Sequence, residues 1–123
     1  MERVTGIGGV FIRSRDPAAL ARWYAKHLGI EVDGDFQGTT FHWTVPGSTV
    51  WAVFPAGTDY FGRPEQQAMV NFRVADLDAM VAQLRAAGVR VEDRIGSHEF
   101  GRFGWAEDVE GNRFELWEPP AGH

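Results

Sequence analysis

The chain has 123 residues, 44% of them hydrophobic and 24% charged, with a formal net charge of −5. That is the size and composition of one domain able to bury a core; it offers no basic stripe for nucleic acid and no apolar run near the ~20 residues of a membrane span. The absence of cysteine excludes disulfides, thiolate metal sites and cysteine nucleophiles, and the first residues lack a basic-then-apolar secretory pattern, so the expected location is cytoplasmic.

The first predicted strand runs through Val10-Phe11-Ile12-Arg13. Asp16 is placed as an N-cap and Pro17 as the first helical residue. Leu20, Trp23, Tyr24, His27 and Leu28 then follow the spacing of a one-faced helix. Gly29 stops it, and Ile30-Glu31-Val32 reads as a short strand. Phe41 to Phe54 reads as two strands around the Pro46-Gly47 turn, ending at Pro55. Residues 56–67, with Gly57, Gly62 and Pro64, form a linker.

The pattern then repeats. At an offset of 60, Val10 to Asp16 lies over Val70 to Asp76, with Val, Arg and Asp identical at corresponding places. Asp76 caps a second helix marked by Leu77, Met80, Val81 and Leu84, stopped at Gly88 and followed by Val89-Arg90-Val91. At an offset of 64, Phe41 to Phe54 lies over Trp105 to Glu118, Pro46-Gly47 over Glu110-Gly111, and Pro55 over Pro119. A longer loop at 96–104 accounts for the change of offset. The predicted fold is α+β: one domain over residues 1–123, built of two tandem βαβββ modules, about 4–55 and 68–119. Two helices are too few for a doubly wound sheet, and no G-x-G-x-x-G follows a strand. A ferredoxin-like domain would leave one strand per half unplaced.

The segment Phe11 to Gly29, the strand Phe72 to Asp78, and above all Asp108-Val109-Glu110-Gly111-Asn112-Arg113-Phe114-Glu115-Leu116 resemble the opening, middle and closing parts of the vicinal oxygen chelate superfamily. This is the superfamily of glyoxalases, bleomycin resistance proteins and extradiol dioxygenases. The resemblance implies a cup-shaped, half-barrel mixed sheet and, for chains this short, a homodimer. Its enzymes hold one divalent metal in the cup, at positions that fall here on Gly9, Trp51, Met69 and Glu115. Only Glu115 is a good ligand for a hard cation, and one carboxylate is not a site. His27, His98 and His123 lie outside the strands expected to line the cup, and His42 points away from its neighbours Phe41 and Trp43. No metal and no other cofactor is therefore expected.

Alternation assigns Val10, Ile12, Val70, Phe72 and Val74 to the helix-facing side. The cup then receives Phe11, Arg13, Asn71 and Arg73, with Trp51, Arg113, Glu115 and Trp117 from the closing strands. Trp43 and Trp105 join from the strands beside them, with Phe41 and Phe103. The ligand-binding set is Phe11, Arg13, Trp43, Trp51, Asn71, Arg73, Trp105, Glu115 and Trp117. An aromatic wall with few charges suits a flat, apolar small molecule. Arg13 and Arg73 either grip an acid group or pair with Glu115, and the tryptophans either contact ligand or fill a core. Glu115 is the one candidate for a catalytic base. Two loops with aromatics beside glycine, 58–64 and 97–102, are candidate lids or contact surfaces.

Three functions stay open at this point. One is a metal-free binder of an aromatic or planar molecule, as the resemblance to bleomycin resistance proteins implies. Another is a lyase, isomerase or dioxygenase of glyoxalase type. The third is a regulatory or assembly module whose cup is only core.

Overall fold

A computed structural model describes residues 1–123. Two helices lie on one side of a four-stranded mixed sheet. Helix α1 spans Pro17–Leu28, β1 Val70–Arg73, α2 Leu77–Ala86, β2 Gly96–His98, β3 Gly101–Glu107 and β4 Arg113–Glu118. The sheet order is β1-β4-β3-β2. β1 runs parallel to β4, with Asn71 opposite Glu115 and Arg73 opposite Trp117. β3 runs antiparallel to β4, with Trp105 opposite Glu115 and Phe103 opposite Trp117. The fold is α+β, as the repeat and the spacing of apolar residues predict.

Both helices start where the sequence places them. Asp16 accepts from Ala19 N at 3.1 Å and Asp76 from Ala79 N at 3.0 Å, each satisfying an orphan donor of the first turn. Gly29 ends α1 in the left-handed region at φ 68, which a side chain would resist. Leu77, Val81 and Leu84 pack with Ala106, Phe114 and Leu116 into one core. Helix α1 adds Trp23 and Tyr24, whose rings lie 6.2 and 5.9 Å from that of Phe114. Phe72 faces this cluster and Val74 packs on the core, so the period-2 assignment of the middle strand holds.

The closing D-x-E-G-N turn fastens α1 to the second module. Asp108 is buried and accepts from Tyr24 Oη at 2.8 Å, from Asn112 Nδ2 at 2.8 Å, and from the backbone N–H groups of Glu110 and Asn112. Burial, with the Asp108 charge beside it, pushes the Tyr24 phenol well above its ordinary value. The neighbouring Glu110 receives Ser14 Oγ at 2.7 Å and the Arg15 N–H at 3.1 Å, and these donors hold its carboxyl below the usual range. A turn in one module thus grips the entry to the helix of the other.

The strands expected in the first module do not form a ladder within one chain. Of residues 1–69, only α1 and a bridge between Asp33 and Gly38 are regular, so Ile30 to Val32 is not a strand. An extended segment becomes a strand only where its N–H and C=O groups find partners, and these residues dock on neither free edge of the open sheet, at β1 or at β2. Their apolar side chains stand in the open: Phe11 is 96% exposed, Trp43 88%, Trp51 76% and Ile12 53%. In the second module Val89 to Val91 meets β3 at a single bridge, Val91 to Ala106. Two extra residues between Val91 and Gly96 separate that bridge from the β2–β3 ladder, and such a bulge breaks the strand in two. His98, expected in a loop, belongs to β2.

Candidate functional site

The sheet face turned away from the helices carries two rows of side chains. Register builds the first, because Asn71, Glu115 and Trp105 stand side by side on β1, β4 and β3. Glu115 is buried, and its oxygens are shared among three donors. Asn71 Nδ2 donates to Oε1 at 2.7 Å, Trp105 Nε1 donates to Oε2 at 2.8 Å, and the Tyr60 hydroxyl also donates to Oε2. None of the ion pairs in the chain includes Glu115. Desolvation by burial, followed by the bond to Glu115 and its charge, pushes the Tyr60 phenol up to about 12.

Tyr60 reaches this row from the linker. Arg113 Nε donates to its carbonyl at 2.9 Å, and Gln66 both donates to Arg113 O and accepts from Arg113 N, at 2.7 and 2.9 Å. The linker is thereby strapped along the start of β4. The Tyr60 ring stacks on Phe54 at 5.4 Å and meets Trp105 edge-on at 6.3 Å. On the Trp105 ring lies also the Arg94 guanidinium, 4.2 Å from its centroid.

The second row crosses the same face. The Arg73 guanidinium lies 5.1 Å from the Trp117 ring, Trp117 is near-parallel to Phe103 at 6.3 Å, and Phe103 to His98 at 5.1 Å. The indole N–H of Trp117 donates to Phe100 O at 2.8 Å, which fixes the ring on the β2–β3 turn. Arg73 donates to the backbone oxygens of Ser48 at 2.9 Å and His123 at 2.7 Å.

Of the residues named from sequence, Asn71, Arg73, Trp105, Glu115 and Trp117 lie together on this face. Phe11, Arg13, Trp43 and Trp51 lie on the unpaired first-module segments and are not brought to it. Two alternatives that the sequence leaves open narrow here. Arg73 does not pair with Glu115, because register puts Asn71 beside the carboxylate and Arg73 one row further on. Trp105 is not an open wall: it is 3% exposed beneath Tyr60 and Arg94. The loop containing Tyr60 reads from sequence as a candidate lid or contact surface, but nothing in its spacing links that residue to Glu115, 55 positions away.

A divalent metal does not fit the family's position in this chain. Gly9 has no side chain, Trp51 offers no acceptor, and Met69 offers only a thioether. The lone pairs of Glu115 point at three hydrogen-bond donors rather than at other ligands.

Comparison with known proteins places this geometry. No curated protein sequence matches the chain. Among solved structures it is similar to a glyoxylase/bleomycin resistance protein/dioxygenase domain from Frankia sp. EAN1pec, at 21% identity over 98% of this chain and 96% of that one, with a TM-score of 0.60. It is similar to TnmS3, an antibiotic binding protein from Streptomyces sp. CB03234, at 23% identity over 82% and 84%, TM-score 0.50. It also resembles TioX from Micromonospora sp. ML1, at 17% identity over 89% and 93%, TM-score 0.52. At these identities the likeness is one of fold. The family model of the Glyoxalase/Bleomycin resistance protein/Dioxygenase superfamily matches residues 6–116, nearly the whole chain. With its two-helix, mixed-sheet fold and its closing D-x-E-G-N turn, the chain belongs to the glyoxalase/bleomycin resistance protein/dioxygenase superfamily.

Proposed function

We propose that this chain is a metal-independent binder of a planar, aromatic small molecule, working as a homodimer. The observation that carries the reading is the sheet face itself, where a row of Arg73, Trp117, Phe103 and His98 flanks a buried polar centre. Such a face offers ring contacts and a few orienting polar groups, the usual balance of a small-molecule site. A neighbour in the fold that binds an antibiotic agrees with this class of ligand. Catalysis by Glu115 as a general base has less support, since both its oxygens already accept hydrogen bonds.

The dimer rests on surface area. A compact monomer of 13.7 kDa exposes about 6,600 Å², whereas this chain exposes 9243 Å². The surplus of roughly 2,600 Å² has the scale of an obligate interface. It is concentrated on Phe11, Phe41, Trp43, Trp51 and Val53, from 69 to 96% exposed. A second copy is the occupant that suits extended segments with free backbone groups, since strand pairing satisfies both backbone and side chains. In this arrangement Phe11, Arg13, Trp43 and Trp51 complete the cup's wall only in the dimer.

Two measurements test the reading. Sedimentation at micromolar concentration is expected to show about twice the chain mass; a 13.7 kDa species alone rejects the dimer. A screen of planar aromatics is expected to quench tryptophan fluorescence saturably, with Trp51→Leu or Trp117→Leu weakening binding several-fold, as loss of a stacking contact of ~1 kcal/mol requires. Hits that ignore both substitutions reject the site.

A further inference from the structure

We infer that Glu115, Asn71 and Trp105 form a receptor for a phenolic hydroxyl, which Tyr60 fills in the free protein and which a phenol on the cup's ligand takes over. The inference rests on the planar-ligand reading and assigns that ligand its polar group.

Glu115 is a carboxylate buried to 7% exposure and held only by neutral donors. Two of these, the Asn71 amide and the Trp105 indole, stand on sheet strands and are fixed by register. The third is the only one on a segment outside every helix and strand. A carboxylate has about four acceptor positions, so the strand donors leave room that a neutral O–H fills well. The same place is shaped for an aromatic ring, stacked on Phe54 at 5.4 Å and perpendicular to Trp105 at 6.3 Å. Tyr60 shows in the chain itself what group fits: a ring carrying a hydroxyl.

The surroundings select against anionic ligand groups. Glu115 itself repels a carboxylate or a phosphate. Tyr60 is partly exposed, and its backbone is tied separately, through its carbonyl to Arg113. Rotation of its side chain therefore opens the place without unstrapping the linker.

The test compares 2-naphthol with 2-methoxynaphthalene, which has the same rings and no donor, by tryptophan fluorescence and calorimetry. In the wild type, 2-naphthol is expected to bind several-fold more tightly than the ether, and Glu115→Gln to abolish that preference. In Tyr60→Ala the affinity for 2-naphthol is expected to rise about 10-fold, the scale of one hydrogen bond to a charged group, while the ether gains less. If Tyr60→Ala does not fold, the wild-type and Glu115→Gln comparison decides alone. Equal affinity for the two probes overturns the phenol receptor and leaves the planar-ligand reading standing, provided Trp51→Leu or Trp117→Leu weakens both. Failure of the wild type and every variant to bind either probe overturns both.

Discussion

Replacing Tyr24 by Phe removes one oxygen atom and tests whether the Asp108 turn holds α1 in place. The hydroxyl donates to a buried carboxylate at 2.8 Å, and a bond to a charged group contributes ~1.5–3 kcal/mol. Asp108 keeps its three other donors in the variant, and the Phe ring keeps its contacts with Phe72 and Phe114. The loss should therefore sit near the lower end, ~1.5 kcal/mol, or about 6 °C for a domain of this size. Asp108→Ala should cost more, about 4 kcal/mol, because it strands the Tyr24 hydroxyl, the Asn112 amide and two backbone N–H groups together. The assay is urea unfolding at one fixed protein concentration, since any self-association adds to apparent stability. A loss below ~0.5 kcal/mol for Tyr24→Phe, or equal losses for the two variants, would refute the account of the turn as a fastening.

Further expectations follow from the same contacts. The chain has two tyrosines, both with phenols raised above 10.0, so alkaline titration of the folded protein should show almost no tyrosinate at the ordinary midpoint. Because both folded values lie above the unfolded one, their contribution is whole below pH ~10 and fades as pH climbs toward the folded values; two ordinary phenols in that titration would contradict the burial of Tyr24 and the Tyr60–Glu115 bond. On the acid side, the depressed Glu110 carboxyl stabilises above the normal carboxylate range and loses its effect as pH falls, so Glu110→Gln should flatten the acid limb of a stability–pH curve. Gly101→Ala should cost ~2–4 kcal/mol, since a methyl there would stand 2.4 Å from Glu118 O at φ 116; unchanged thermal stability would contradict the β2–β3 turn geometry.

What the sequence made legible was whatever depends on short range or on exact repetition. Helix starts at Asp16 and Asp76, the stop at Gly29, and the inward side of Phe72 all follow from local chemistry and a period of two. So does the shared face of Asn71, Arg73, Glu115 and Trp117, because alternation along two strands decides it once they pair. Pairing itself is a property of the tertiary fold: residues 4–55 carry strand chemistry yet find no ladder within one chain. The Arg73–Glu115 alternative failed on register, which places Asn71 at the carboxylate. Tyr60 escaped because a linker residue carries no periodicity, and its partner is chosen by how the strap folds back along Arg113. Alternation puts Trp105 on the face but cannot show that it is covered, since the covering groups, Tyr60 and Arg94, come from irregular segments.

The fastening of α1 also bears on the order in which the chain acquires its shape. The β2–β3 and β3–β4 hairpins join close neighbours in sequence and zip early, since short loops lose little entropy on closing. Tyr24 must wait for Asp108, 84 residues away, and Ser14 for Glu110, 96 away. On the ribosome, at about 5–20 residues per second, the apolar stripe of α1 emerges several seconds before the groove that receives it exists. Helix α1 is therefore made before the turn that fastens it, and until Asp108 is in place the Trp23 and Tyr24 side of the helix lacks its cover.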